Sequence, residues 1–207
     1  MLQILGRASS INVRKVQWVC DEIGIPYERE DWGSGFRSTR EPEFLALNPN
    51  ALVPVIKDGD FVLWESNTIC RYLAGKHGRA DLLPVEPKAR ALVECWMDWM
   101  TTELTFAYRY AFVALVRKVP GHDDAAQIAQ SIRSWNTQIG ILDGQLAATG
   151  AYAAGNAFTL ADVPIGLAVH RWLFSPIERA EYPAVTAYYE RLRARPAFPP
   201  HALADVP

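Results

Sequence analysis

Ser9 and Ser10 open the run Ser-Ser-Ile-Asn-Val-Arg-Lys at residues 9–15, directly after the apolar stretch Met1-Leu2-Gln3-Ile4-Leu5 and a turn. Hydroxyls placed where a strand gives way to a helix sit among free backbone N–H groups and the positive end of the peptide dipoles. Such a position can hold a thiolate, a carboxylate or a phosphate. The same serines suit a purely structural job, since serine is a common N-cap. Thr159-Leu160-Ala161-Asp162 has the form of a capping box, with an acid three positions after the threonine. There the structural reading outweighs a catalytic one: Thr159 and Asp162 start a buried helix.

Other chemistry-bearing residues are sparse. Cys20, Cys70 and Cys95 are odd in number, far apart and without a C-x-x-C pair, so neither a disulfide framework nor a zinc site is indicated. Cys20 and Cys70 fall on apolar helix faces, where cysteine behaves as a small hydrophobe. His77, His122, His170 and His201 are scattered and form no metal set. If a thiol reacts near Ser10, it comes from elsewhere.

The chain has 207 residues, half of them apolar, enough for one large domain or two small ones with real cores. A net charge of −2 argues against nucleic acid, which calls for a concentrated basic surface. No apolar run approaches the length of a membrane span. The start Met-Leu-Gln-Ile-Leu-Gly-Arg lacks the basic end and long apolar region of a secretory signal, so a cytoplasmic protein is expected.

The elements that must position Ser10 alternate up to about residue 78. The pattern predicts a strand over Leu2–Leu5, a helix over Ser10–Gly24 stopped at Gly24-Ile25-Pro26, and a strand over Tyr27–Asp31. A polar loop at Trp32–Thr39 and a short helix at Glu41–Leu47 follow. Val53–Lys57 and Phe61–Trp64 form a hairpin around Asp58-Gly59-Asp60, because Asp-Gly between apolar runs favours tight turns. Ser66–Lys76 is a third helix. The order βαβαββα implies a small mixed sheet with helices packed on it. Leu82-Leu83-Pro84-Val85-Glu86-Pro87 breaks the pattern, as two close prolines suit an extended connector. Beyond it only helical periodicity is present: Lys88–Lys118 as one long or kinked helix, Ala125–Ala148, Thr159–Leu173 and Pro183–Arg195. The proline-rich tail Pro196–Pro207 is expected to be loosely packed. The domains are thus 1–78, a linker at 79–87, and an all-helical 88–207.

Four motifs in this order resemble the cytosolic glutathione transferases, in particular bacterial serine-type members similar to the phi and theta classes. They are Ser10-Ile-Asn12-Val13-Arg14-Lys15, Asn48-Pro49-Asn50-Ala51-Leu52-Val53-Pro54-Val55, Trp64-Glu65-Ser66-Asn67-Thr68-Ile69 and Phe158-Thr159-Leu160-Ala161-Asp162. Each alone is weak, but their order and spacing span nearly the whole chain. The resemblance implies a thioredoxin-like domain followed by an all-helical one, glutathione as co-substrate without a metal, and a homodimer with neither nucleic acid nor membrane as partner.

In such an enzyme Ser10 is a hydrogen-bond donor to the thiol sulfur rather than a nucleophile, and no histidine partner is required. The glutathione thiol has an ordinary pKa of about 8.5, so only a few per cent is thiolate near neutral pH. A charge-assisted hydrogen bond contributes about 1.5–3 kcal/mol, and a helix N-terminus about 0.3–1 kcal/mol. At about 1.36 kcal/mol per pKa unit the two lower the thiol pKa by about one to three units. Ser9 is the rival donor; the register with serine two before Asn12 selects Ser10. Asn12 either supports the sulfur or satisfies its own helix start. Val53-Pro54 matches the family's cis-proline step, which leaves the backbone of Val53 free to pair with the cysteinyl segment as an added strand. Ser66 at a helix start receives the γ-glutamyl carboxylate, and Glu65 pairs with its ammonium group.

The departures are Leu52, where many relatives carry glutamine or lysine, and Thr39-Arg40, where a histidine or lysine is usual. Arg40, or Arg37 nearby, is left to hold the glycyl carboxylate, though an arginine on an exposed loop is ordinarily a surface charge. The aromatic supply for a second substrate is Trp96, Trp99, Phe106, Tyr108, Tyr110 and Phe112, each of which is ordinarily core. Tyr108 and Phe112, four apart, share a face and are chosen for the pocket, with Ile11 and Phe36 from the loops nearest the sulfur. An apolar pocket beside an activated thiol suits a hydrophobic electrophile. The rivals are a glutathione-dependent isomerase or dehalogenase, and a non-catalytic scaffold. Ser9-Ser10 is similar to a maleylacetoacetate isomerase start, but Ile11 stands where that family has cysteine. A thiol–disulfide oxidoreductase is disfavoured because the helix start offers serine in place of cysteine.

Overall fold

The computed structural model describes residues 1–202, which divide into two compact units, Met1–Pro84 and Val85 onward. The first holds β1 (Leu2–Leu5), α1 (Ile11–Ile23), β2 (Tyr27–Glu30), α2 (Pro42–Leu45), β3 (Val55–Asp58), β4 (Phe61–Trp64) and α3 (Ser66–Lys76). The order is the βαβαββα anticipated from the residues. The sheet runs β2-β1-β3-β4. β1 lies parallel to β2, with Leu2 opposite Tyr27, and antiparallel to β3, with Leu5 opposite Val55. β3 and β4 close antiparallel around Gly59 and Asp60, and Gly59 takes the left-handed conformation that a two-residue turn demands.

Helix α1 ends as the Gly-Ile-Pro signal predicts: Gly24 at φ 80° donates its N–H back to the Cys20 carbonyl. Leu5, Trp32, Phe44 and Val55 form a buried cluster, with Leu47, Val53 and Val62 packed against it. Trp32 and Phe44 meet at 5.0 Å between ring centroids. This cluster ties the 32–47 segment and the approach to β3 to the first strand. β3 begins at Val55 rather than Val53, because the Val53–Pro54 peptide is cis and proline has no N–H to give a ladder. α2 is also shorter than the predicted Glu41–Leu47.

The second unit is helical: α4 (Pro87–Trp99), α5 (Thr105–Leu115), α6 (Ala125–Thr149), α7 (Asp162–Phe174) and α8 (Pro183–Arg193). α4 and α5 are joined without a break by a π-helical turn at Met100–Leu104, so Lys88–Lys118 is one interrupted helix. The hydroxyls of Thr101 and Thr102 donate to the carbonyls of Met97 and Asp98, and that of Thr105 to Met100, five residues back. Such back-bonding competes with the regular ladder and accounts for the widened turn. Glu86 caps α4 and Asp124 caps α6, each through two backbone N–H groups. α7 starts at Asp162, not Thr159. The buried Asp162 carboxylate accepts from the Thr159 and Ala153 N–H groups, both at 2.9 Å, and from the hydroxyls of Thr159 and Tyr188. Burial pushes its carboxyl up to about 6.

The tail corrects the expectation of loose packing over its first half. Pro199–His201 is a 3₁₀ turn, Phe198 is fully buried with its ring edge-on to Tyr189, and His201 is buried too. The apolar side chains there outweigh the prolines. Residues 203–207 lie outside the described part. No described helix is long and apolar enough to cross a membrane.

Candidate glutathione-binding groove

The β1–α1 turn places Ser10 at the N-cap position of α1, with φ −82° and ψ 122°, its own N–H donating to the Arg7 carbonyl. Its hydroxyl makes no capping hydrogen bond. The structural role open to it in the sequence is therefore one that its side chain does not perform. A close approach fixes the turn. A Cβ on Gly6, at φ 149°, would lie 2.5 Å from Val13 Cγ2 and 2.9 Å from Val53 Cβ, so only glycine lets α1 and the Val53 segment meet here.

Asn12, Asn48, Leu52, Val53, Pro54, Glu65 and Ser66 line one groove of about 50 Å³ in the first unit. Six of the sequence-selected residues thus converge from three separated stretches of chain. Neither the N–H nor the C=O of Val53 is used in a ladder or turn. Leu52 is 63% exposed at the rim. Ser66 begins α3 and is buried. Glu65 before it sits at φ 73°, a left-handed backbone that costs a non-glycine residue about 1–3 kcal/mol. The Glu65 side chain caps nothing. Unpaired polar side chains converging with free helix N–H groups are the ordinary marks of a ligand site.

Asn48, from the Asn-Pro-Asn stretch, is the strut of this groove. Its buried side chain donates to the Leu52 carbonyl at 2.8 Å and accepts from the backbone and side-chain amides of Asn50. The loop that presents Val53 is thereby fixed from within. Asn-Pro-Asn, a strong turn signal, is the cue that could have identified it.

The two arginine candidates separate clearly. Arg37 donates to Glu41 at 2.9 Å, Glu43 at 2.6 Å and Glu30 at 3.4 Å, and its guanidinium lies 3.9 Å above the Trp32 ring. The Glu43 and Glu41 carboxylates pull its pKa upward. Arg40 has no acidic partner among the described residues and lines a shallow depression of about 300 Å³ with Gly33, Ser34, Gly35, Phe36, Ser38 and Thr39. Ser10 and Arg40 are not among the residues lining the Asn12–Ser66 groove. Phe36 is exposed and Ile11 buried.

Tyr108 and Phe112 do share a face, and it is the face turned into the helical unit. Tyr108 packs on Trp135 at 4.9 Å and on Phe112 at 6.1 Å, and its hydroxyl accepts from Arg171. The Arg171 guanidinium lies 3.9 Å from the Phe112 ring centre. Both rings are core, as their type ordinarily is.

Two of the chain's three thiols are poor candidates for the reacting sulfur, the third, Cys95, being exposed on α4. Cys20 and Cys70 are buried, and burial pushes the Cys70 thiol up to about 12 and the Cys20 thiol higher still. Among the described residues no cluster of His, Cys, Asp or Glu could hold a metal ion.

Residues 9–76 match the glutathione S-transferase N-terminal domain, and residues 98–196 match the glutathione S-transferase C-terminal domain. The chain is 35% identical to glutathione S-transferase GstB of Escherichia coli over 199 residues, 95% of each chain. It is 34% identical over 204 residues to glutathione S-transferase 3 of Zea mays, covering 95% of this chain and 91% of that one. Among solved structures, the theta-class glutathione S-transferase of Xanthomonas axonopodis pv. citri with glutathione bound superimposes with a TM-score of 0.91 at 39% identity, covering 98% and 97% of the two chains. With both halves of the chain accounted for in the right order, this protein belongs to the glutathione S-transferase family.

Proposed function

We propose that this glutathione transferase holds glutathione in the Asn12–Ser66 groove and uses the Ser10 hydroxyl to stabilise its thiolate for attack on a hydrophobic electrophile. The observation that carries the reading is the Ser10 side chain: at a helix N-cap, yet making no cap bond. A hydroxyl so placed can donate to an incoming sulfur without giving up a bond it already makes. Asn12, within the first turn of the same helix, supports the sulfur or the turn.

The tripeptide pairs antiparallel with the unused N–H and C=O of Val53, next to Pro54 and beneath the Leu52 rim. Its γ-glutamyl carboxylate meets the first-turn N–H groups of α3 and the Ser66 hydroxyl, while Glu65 takes the ammonium group. Arg40 takes the glycyl carboxylate, since Arg37 is committed to three glutamates. With a bound thiolate present, the reaction forms a carbon–sulfur bond and expels the electrophile's leaving group, or adds across an activated double bond. Ile11 and Phe36 flank the sulfur end. The working form is a homodimer in the cytoplasm, a reading that rests on the family and on three unpaired cysteines.

The test is turnover of a chlorinated nitroaromatic with glutathione. Wild type is expected to turn over, and Ser10→Ala to lose most of its kcat while still binding glutathione. Equal activity in the variant would remove Ser10 from the mechanism.

A further inference from the structure

A cavity of about 650 Å³ in the helical unit lies between the end of α7 and the start of α8. Trp172, Leu173, Tyr182 and Pro183 give it an apolar wall. Asn136 of α6 holds that wall in place. Its side-chain carbonyl accepts from the Trp172 indole N–H at 2.9 Å, and its backbone carbonyl from the Tyr182 hydroxyl at 2.7 Å. Its side-chain amide donates to the Glu178 carbonyl at 3.0 Å. Tyr182 lies so close to α6 that a Cβ on Gly140 would meet its hydroxyl at 2.9 Å. One residue thus ties both aromatic rings and the α7–α8 connection to α6, so the wall is formed before a ligand arrives.

Two opposite charges stand at this wall. Arg179 is fixed through one nitrogen: Nη1 donates to the carbonyls of Ser175 at 2.8 Å, Ile177 at 3.3 Å and Trp172 at 3.5 Å. No carboxylate pairs with it among the described residues, which leaves its Nε–Nη2 edge open. That edge takes a carboxylate through two parallel N–H bonds. Glu181 lines the same cavity, and its carboxylate has no hydrogen-bond or ion-pair partner among the described residues. A simple anion is repelled by Glu181 and a simple cation by Arg179, so a ligand carrying both charges suits the pair best.

We propose that this cavity binds a free α-amino acid with an apolar side chain. The α-carboxylate meets the Nε–Nη2 edge of Arg179, the α-ammonium group meets Glu181, and the side chain lies against Trp172, Leu173 and Tyr182. The volume falls within the range of small-molecule pockets, and a mostly apolar wall with a few placed polar groups is their usual make-up. The site is read from the helical unit alone and stands whether or not Ser10 acts on glutathione.

Calorimetry of the full chain with L-phenylalanine and three analogues tests this. Phenylalaninamide lacks the carboxylate, N-acetylphenylalanine lacks the ammonium group, and glycine lacks the side chain. Phenylalanine is expected to bind about tenfold more tightly than each of the three. Arg179→Gln should weaken phenylalanine about tenfold and leave phenylalaninamide within about twofold. Glu181 makes no bond on which the fold relies, so Glu181→Gln keeps the test independent of folding. It should weaken phenylalanine about tenfold without weakening N-acetylphenylalanine. The proposal fails if phenylalanine does not bind, if any one of the three analogues binds as tightly, or if Glu181→Gln leaves phenylalanine affinity unchanged. Glutathione affinity should be the same in wild type and both variants; a parallel loss would mean that the changes act through the fold, and would overturn the assignment.

Discussion

Gly6→Ala probes the link between fold and groove at its tightest point. The added methyl would lie 2.5 Å from Val13 Cγ2 and 2.9 Å from Val53 Cβ, against a comfortable carbon–carbon separation of about 3.5–4.0 Å. Val13 is fully buried on α1, and the Val53 contact is to a Cβ that moves only with its backbone. Overpacking of this kind costs about 1–3 kcal/mol, and the left-handed φ of 149° adds about 1–3 kcal/mol for any side chain. A loss of about 2–6 kcal/mol in urea unfolding is expected, a large part of a typical total of about 5–15 kcal/mol. Displacement of Val53 should also weaken glutathione at least tenfold by calorimetry. Val13→Ala removes one of the two obstacles and not the other. In that background Gly6→Ala should therefore cost about 1 kcal/mol less, while glutathione binding stays weak. A Gly6→Ala protein within about 0.5 kcal/mol of wild type, with unchanged glutathione affinity, would refute the reasoning.

Arg40→Gln is expected to weaken glutathione about fivefold, the equivalent of about 1 kcal/mol for an exposed charge pair. Arg37→Gln should leave the affinity within twofold because its guanidinium is already occupied, and calorimetry on both variants checks the contrast. Asp162 gives a pH signature with a definite sign. Its carboxyl is raised from 3.8 to about 6 in the folded protein, so its stabilising contribution is fully present below about pH 4 and is lost as the pH rises through 6. The shift corresponds to about 3 kcal/mol. The stability of wild type relative to Asp162→Asn should therefore fall by about that amount between pH 4 and 7 in urea titrations, and a pH-independent difference would contradict it.

Local signals carried much of the groove. The Asp-Gly turn, the Gly-Ile-Pro stop and the bounds of Ser66–Lys76 are matters of short-range chemistry, and the structure reproduces them. Spacing also indicated that Tyr108 and Phe112 share a face. It could not say which face, because helical periodicity is blind to what lies opposite until α6 and α7 are in place. The contacts to Trp135 and Arg171 decide that question, and both lie far along the chain. The π turn at Met100–Leu104 was equally hidden, since three threonines in a helix do not announce where their hydroxyls will turn. Arg37 and Arg40 were indistinguishable by type. The Glu30, Glu41 and Glu43 cluster that occupies Arg37 is assembled by the fold. Pro196–His201 looked loose by composition, but Phe198 finds a buried seat against Tyr189.

The role of Ser10 is tested most directly by titrating the thiol of bound glutathione through the ultraviolet absorbance of its thiolate, in wild type and in Ser10→Ala. The account predicts a pKa about one to three units below the free value of about 8.5 in wild type. In the variant it should return at least one unit toward that value, with glutathione affinity changed only a few-fold. The same depressed pKa in both proteins would contradict it and transfer the role to Ser9 or to the helix N-terminus alone.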